Sequence, residues 1–238
     1  MDRRKALKNM GLTLGYAVAT PTLVSIMQSC KNEPTLAWTP KFFSMEEGTV
    51  LNHLVDIILP KTDTPSASEI QVDLFIDGFV NEVMYNNEDY AQFAKAMDVD
   101  EDDAGHFNRY NKDFLRSNMG KFIEKASQDS GKENAADLTP EDLEPVLAST
   151  LKISEEQEKA HDEALEAYVA AVNSGTAATL SDEVARYAFA SNLRGLSIWG
   201  YKTSEYIGEE VLAYLPVPGE YIACEDVDKL TGGKAWSI

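Results

Sequence analysis

The sequence contains few of the side chains that most often perform chemistry or hold metals. Its 238 residues include 2 cysteines and 3 histidines. It lacks the phosphate-binding loops G-x-G-x-x-G and G-x-x-x-x-G-K-[ST], the nucleophile motif G-x-S-x-G and the motif C-x-x-C. Neither cysteine is followed by the histidine of a haem c attachment motif. We therefore expect no catalytic residue, no bound cofactor and no metal site in this chain.

Two stretches come close to a metal site without completing one. His161 ends an E-x-x-H spacing used in di-iron bundles, but such a site needs two copies and two further glutamates. Only one copy occurs, so we expect His161 at the surface of a charge-rich helix. Residues 98–109 resemble a calcium loop, yet Asp103 replaces the required glycine and Arg109 the required glutamate. We expect a solvated acidic loop there, and a partly buried histidine at His53.

Basic residues are scarce outside the N-terminus. The chain has 40 acidic and 21 basic residues and a formal charge of −19. Residues 1–30 hold four bases and one acid, so residues 31–238 carry −22. A surface of this sign repels phosphate backbones and anionic lipid headgroups. The composition therefore argues against nucleic acid as a partner.

Residues 1–30 have the pattern of an export signal. A basic cluster with the adjacent pair Arg3 and Arg4 precedes an uncharged, mildly apolar stretch over 9–30. Paired arginines are typical of the twin-arginine route, which carries folded proteins. A general secretory signal and a retained membrane anchor are the alternatives. We expect an exported protein, either periplasmic or anchored on the outer side of the inner membrane or on the outer membrane.

Cys30 ends the uncharged stretch, in "SIMQSC", where a lipoprotein would be cut and acylated. No A-x-A cleavage site follows, which favours lipidation over ordinary cleavage before Trp38. If Cys30 carries a lipid, Cys224 has no partner within the chain. In an oxidising compartment this predicts that Cys224 is buried or bonded to a partner protein.

The remaining chain is predicted to be helical. Residues 31–43 contain two prolines and are expected to form a tether, followed by one domain over 44–238. Helix signals recur along it, in segments that begin near residues 44, 70, 105, 140, 154 and 181. No segment alternates convincingly at period two, so we predict an all-α, single-domain helical bundle with an irregular aromatic and proline-rich C-terminal arm.

The sequence also makes a prediction about mobility in one segment and about burial in another. The polar stretch 128–138 predicts the most mobile loop. The helix that opens at Ser181 is apolar nearly all round and rich in small residues, so it should be central and the most buried.

The C-terminal stretch 199–224 is the most distinctive part of the sequence. It combines many aromatic side chains with proline turns, and this composition suits a surface that docks a partner. An arm folded back over its own bundle is the alternative, because aromatic residues dominate cores and interfaces alike. The candidate interface consists of Trp199, Tyr201, Tyr206, Tyr214, Pro216, Pro218, Tyr221 and Cys224.

Several segments together resemble a known family. They are the paired-arginine leader, "LVDIILPKTDTPSA" followed by "VDLFIDGFV", and "GYKTSEYIG" with "YLPVPGEYIAC". The chain resembles the gluconate 2-dehydrogenase subunit 3 family, the small subunits of membrane-associated flavoprotein dehydrogenases. It departs from the family at Ser66, where the proline-glycine turn usually has glycine.

The resemblance implies a non-catalytic subunit that escorts, exports and stabilises an FAD-dependent alcohol or sugar dehydrogenase of the glucose-methanol-choline class. FAD would be held by that large subunit, and haem c by a cytochrome c subunit that often completes such complexes. Because flavin is loaded in the cytoplasm onto a folded protein, its escort would need a folded-protein route as well. The alternatives are an independent exported acidic lipoprotein that acts as a binding module and a helical metalloenzyme, which the shortage of ligands disfavours.

Overall fold

A computed structural model describes residues 36–100, 103–213 and 224–235. These ranges contain helices and no β-strand, which confirms the predicted all-α, single-domain fold. The α-helices are α1 Met45–Ile58, α2 Val72–Glu82, α3 Asn87–Ala96, α4 Ala104–Tyr110, α5 Lys112–Ser130, α6 Pro140–Leu151, α7 Glu155–Asn173, α8 Asp182–Lys202 and α9 Val227–Thr231. A 3₁₀ turn at Ala135–Asp137 and a π-helical turn at Ile207–Val211 complete them. No described helix combines the length with the hydropathy that a membrane span requires.

Local capping explains where several helices begin. The Ser44 hydroxyl accepts from the Glu47 backbone N–H while the Glu47 carboxylate accepts from the Ser44 N–H. Ser154 makes the same reciprocal pair at α7, and Ser181 caps α8. Each cap satisfies backbone donors that have no partner inside the helix. The starts predicted at residues 44, 154 and 181 are therefore confirmed.

Helix α8 is the centre of the bundle, as predicted. It packs against α1, α2, α5, α6 and α7, and ten of its 21 residues are buried. The main core joins apolar side chains of α1, α2, α5 and α6 to Phe189 and Leu193 of α8. A second cluster joins α3, α4 and α7 to Tyr187 and Ala188.

The segment over 105–127 is divided into two helices, where one was expected. Asn111 ends α4 and caps α5, with extended backbone torsions and a side chain that accepts from the Phe114 N–H. Tyr85 exchanges backbone hydrogen bonds with the two residues that flank Asn111. A contact from a distant part of the chain therefore breaks the helix. Helix α3, which begins after the capping residue Asn86, was not predicted.

The stretch 128–138 is not one continuous loop, and its predicted mobility stays a prediction. Helix α5 continues to Ser130 and ends at Gly131, whose φ of 71° suits a residue without a Cβ. The 3₁₀ turn follows, and the Leu138 side chain is 1 % exposed in the main core. Burial of Leu138 anchors the segment to the bundle.

Candidate partner-docking face

Helix α2 carries three different surfaces. Val72, Ile76 and Val80 enter the main core. Two buried carboxylates on a second side, Asp73 and Asp77, hold the residues that precede α1. The phenylalanine rings of α2 form the third side and lie beside α8. The carboxylate side binds the residues that precede α1, and the phenylalanine side supports an exposed residue of α8.

Residues 36–43, which we call the strap, lie against the bundle. The Asp77 carboxylate accepts from the backbone N–H groups of Lys41, Phe42 and Phe43 at 2.7, 3.0 and 3.0 Å. Asp77 is fully buried, and a buried carboxylate is stabilised by such charge-assisted bonds. The tether expected over 31–43 therefore does not describe residues 36–43.

Further contacts fasten the strap along its length. Asp73 Oδ2 accepts from Trp38 Nε1 and from Asn52 Nδ2, both at 2.8 Å. The Arg116 guanidinium lies 4.0 Å above the centre of the Phe42 ring and donates to the Phe42 carbonyl. The strap thus joins α1, α2 and α5 through polar groups that are paired within the chain.

The phenylalanine side of α2 is completed by a tryptophan that remains open to solvent. The ring of Trp199 meets Phe75 and Phe79 edge to face, with centroids 5.1 and 5.2 Å apart. Trp199 is nevertheless 46 % exposed, and the neighbouring Ile198 is 42 % exposed. The rings fix the orientation of Trp199, and the described residues leave its outer surface exposed.

A cleft of about 450 Å³ adjoins these rings, between α2, α4 and α8. Phe79, Tyr110 and Trp199 form its apolar wall, and Arg109 and Asn108 contribute polar groups. We call Phe75, Phe79, Ile198 and Trp199, together with this cleft, the Trp199 face. An apolar cleft with a few polar groups is a usual form of binding site.

The floor of the cleft ties α4 to α8. Asn108 Nδ2 donates to the Ala188 carbonyl at 3.1 Å, and Asn192 Nδ2 donates to the Asn108 carbonyl at 2.8 Å. Asn108 Oδ1 is buried and accepts no hydrogen bond from any residue that the structure describes. Gly195 lies on the α8 wall, and a Cβ built there meets no atom of the described residues within 4 Å. The cleft is therefore open at the backbone of α8.

Comparison with known families now assigns the chain. The family model described as Gluconate 2-dehydrogenase subunit 3 matches residues 45–219, which include α1 to α8 and every residue of the Trp199 face. The chain belongs to the gluconate 2-dehydrogenase subunit 3 family. No curated protein and no solved structure matches it.

Membership of the gluconate 2-dehydrogenase subunit 3 family supports an accessory role in a dehydrogenase complex with a larger dehydrogenase subunit. The resemblance stated from the sequence is confirmed. The match begins at Met45, the first residue of α1, and the strap therefore lies just outside it.

The structure separates the predicted interface residues of this family member. Trp199 and Tyr206 are exposed, Tyr206 by 37 %. Tyr201 instead packs against the core, and its hydroxyl lies 2.8 Å from both the Thr64 hydroxyl and the Pro65 carbonyl. Cys224 is exposed and free, so its burial is not observed, and a bond to a partner stays a prediction. Outside the described residues lie Arg3, Arg4, Cys30, Tyr214, Pro216, Pro218 and Tyr221.

The prediction that His161 lies at the surface is wrong. Its side chain is 8 % exposed and contacts the Tyr187 ring at a centroid distance of 4.9 Å. Residues 161, 165 and 169 share one face of α7, and Leu165 and Val169 are buried on that face. The surrounding acidic residues concealed this spacing. His53 is partly buried, as predicted, and burial lowers its pKa.

Aromatic residues behind the cleft hold α3 against α4. The Phe93 ring stacks on Tyr85 and on His106, with centroids 4.4 and 5.8 Å apart. The Tyr90 hydroxyl shares a hydrogen bond with His106 Nδ1 at 2.9 Å. Burial raises the pKa of Tyr90 to about 12 and lowers the pKa of His106. Both shifts favour the neutral forms, so α3 supports α4 through uncharged groups.

In the part of the chain that the structure describes, no three His, Cys, Asp or Glu side chains are grouped to hold a metal ion. Residues 98–100 and 103–109 therefore bring together no such group, and Asp103 serves as the cap of α4 by accepting from the His106 N–H.

Sequence reasoning missed the α2 and α4 residues of the Trp199 face. A signal for α2 was present, because Phe75, Phe79 and Val83 recur every four residues beside the inward series that contains Ile76. A helix with apolar residues on two sides is expected to pack its second side against another element or a partner. No comparable signal marked Arg109 or Tyr110, because their position depends on the break at Asn111.

Proposed function

We propose that this chain is the escort and stabilising subunit of an FAD-dependent alcohol or sugar dehydrogenase of the glucose-methanol-choline class. The large subunit docks on the Trp199 face. The observation that carries this proposal is a tryptophan fixed by two phenylalanine rings, 46 % exposed beside an open cleft, in a member of a dehydrogenase subunit family.

The chemistry of the face suits this role. Tryptophan and arginine are enriched among the residues that carry most of the binding energy at protein interfaces. Trp199 supplies the large apolar surface, and Arg109 supplies a charge at the edge of the same cleft. Because Phe75 and Phe79 already fix the ring, docking orders little that was mobile before.

The leader supports the escort role. In this proposal Arg3 and Arg4 direct the folded complex through the twin-arginine route, with FAD already bound to the large subunit. The exported complex is periplasmic or held at a membrane by a lipid on Cys30. A cytochrome c subunit with haem c completes the electron path.

The test is purification from native membranes through a C-terminal tag, followed by a visible spectrum of the eluate. We expect a flavoprotein to co-purify with the tagged chain. Changing both arginines, Arg3→Lys and Arg4→Lys, should leave chain and flavoprotein together in the cytoplasm.

Two results would contradict the proposal. A colourless single chain after gentle extraction would favour the independent acidic lipoprotein. A flavoprotein that still reaches the exported fraction without this chain would remove the escort role and leave only docking.

A further inference from the structure

The Trp199 face differs in charge from the rest of the molecule. The chain holds 40 acidic and 21 basic residues, yet between Val184 and Ser204 the only charged residues are Arg186, Arg194 and Lys202. On α4, across the cleft, Arg109 is the only Asp, Glu, Lys or Arg. Cations therefore border the apolar cleft of a strongly acidic chain.

Helix geometry places two of these cations with the exposed apolar side chains. In the second half of α8, Leu193, Leu196 and Gly200 are buried. The exposed residues occupy one continuous arc on the other side. They are Arg194, Gly195, Ile198, Trp199 and Lys202.

These cations form no ion pair with a carboxylate of the described residues. Neither Arg109, Arg194 nor Lys202 has a carboxylate oxygen within 4 Å there, whereas lysines elsewhere pair with Glu82, Glu69, Asp142 and other acids. Asp103, the acidic residue at the start of α4, accepts a hydrogen bond from the backbone of His106. The cations of the Trp199 face are therefore available to a partner.

The backbone of α8 is open in the centre of this arc. Gly195 lines the cleft, and no atom of the residues that the structure describes lies within 4 Å of the position that a Cβ would take. Glycine is disfavoured inside a helix, and no close contact within the described chain requires it here. Its absence of a side chain leaves room for a partner to approach α8 closely.

We propose that the Trp199 face binds a segment of the dehydrogenase large subunit in which an apolar side chain is flanked by Asp or Glu. The apolar side chain enters the cleft beside Trp199, and the carboxylates meet Arg109 and the α8 cations. Charge complementarity carries this choice of occupant, because a second copy of this acidic chain would bring mostly like charge outside the face. The inference rests on the proposed function.

Charge reversal tests the chemistry of the partner. The native complex would be purified from cells that carry Arg109→Glu with Arg194→Glu, at several salt concentrations. The control is Lys95→Glu with Lys152→Glu, which makes the same charge change at exposed lysines that do not line the cleft. We expect the reversal to lower retained flavoprotein about tenfold, the control to stay within about twofold, and the wild-type complex to weaken with salt.

Photo-cross-linking identifies the occupant. A photoreactive amino acid at Ser191, which lines the cleft, should cross-link to a large-subunit peptide that contains Asp or Glu near the linked residue. A Lys substitution of that acid should restore binding to the reversed variant. A cross-link to a second copy, to the C-terminal segment of the same chain or to a peptide without acids would overturn the inference.

The outcomes also separate this inference from the proposed function. If Trp199→Ala releases the flavoprotein and charge reversal does not, the docking face stands and the acidic partner segment is wrong. If neither variant releases it, the docking face itself is wrong.

Discussion

Helix α2 presents two surfaces that differ in how far the chain itself covers them. On one side, Asp73 and Asp77 are buried and accept hydrogen bonds from the strap and from Asn52. On the other, Phe75 and Phe79 support a tryptophan that is still 46 % exposed. The chain itself completes the strap side, whereas the described residues leave the Trp199 side exposed. This contrast is what we expect of a subunit that folds alone and then docks.

The largest effect should come from breaking the strap side. Asp77→Ala leaves three backbone N–H groups without their acceptor. We expect a loss of about 3 to 5 kcal/mol in the free energy of unfolding, measured by urea denaturation. Glu82→Ala on the same helix removes an exposed ion pair with Lys41 and should change stability by less than about 1 kcal/mol.

If the alanine variant does not fold, Asp77→Asn provides the measurement. Its amide keeps one acceptor, so an intermediate loss is expected. Equal stability of Asp77→Asn, Glu82→Ala and the wild type would show that the strap does not hold the bundle.

The next largest loss of stability should come from a substitution at Gly200, where α8 contacts Phe75 of α2. A Cβ at this position would lie 2.6 Å from Phe75 Cδ1, so the Phe75 ring would have to shift or α2 and α8 would have to separate. We expect Gly200→Ala to destabilise the protein by about 1 to 3 kcal/mol through overpacking. Because Phe75 supports Trp199, tryptophan fluorescence should shift as well.

Gly120→Ala is the matched control for this substitution. Gly120 lies inside α5, and none of the described residues comes within 4 Å of a Cβ placed there. There alanine should stabilise the helix by up to about 1 kcal/mol. A gain at both positions would mean that the contact between α2 and α8 is looser than described.

Gly195→Ala should have a smaller effect on the free energy of unfolding, and that effect should be an increase. The position is open, so alanine should raise stability by about 0.5 to 1 kcal/mol. The added methyl group enters the cleft, so binding of the large subunit should weaken. Thermal unfolding and co-purification measure the two quantities separately, and unchanged co-purification would show that the partner does not approach α8 there.

The smallest effect concerns two histidines inside the bundle. Burial lowers the pKa of His53 and of His106 in the folded state. The unfolded chain binds protons first as the pH falls below about 6.5, so stability declines from there. His53→Gln with His106→Gln should flatten the change in melting temperature between about pH 7.5 and 5.5. Parallel curves for variant and wild type would contradict this cause.

Local signals predicted much of the fold. The caps at Ser44, Ser154 and Ser181 depend on residues within one turn, so the sequence alone located these helix starts. The break at Asn111 depends on Tyr85, and the strap depends on carboxylates about 35 residues away. Such contacts leave no periodic pattern in a single sequence.

The candidate site was predictable only in part. The composition of the C-terminal stretch pointed to Trp199, but the same composition included Tyr201, whose hydroxyl bonds within the bundle. The cleft combines α2, α4 and α8, so its formation follows from packing rather than from any one segment. His161 was placed at the surface because acidic residues surround it in the sequence, although it shares one face of α7 with Leu165 and Val169.

The most direct test of the central claim compares Trp199→Ala with Met97→Ala in the tagged native complex. Met97 is 63 % exposed at the end of α3, away from the cleft. We predict that Trp199→Ala weakens binding of the flavoprotein by at least about 2 kcal/mol, while the free energy of unfolding of the chain falls by about 1 to 2 kcal/mol through loss of the two ring contacts. Met97→Ala should change neither quantity. Full retention of flavin by the Trp199→Ala complex would contradict the claim that the large subunit docks on this face.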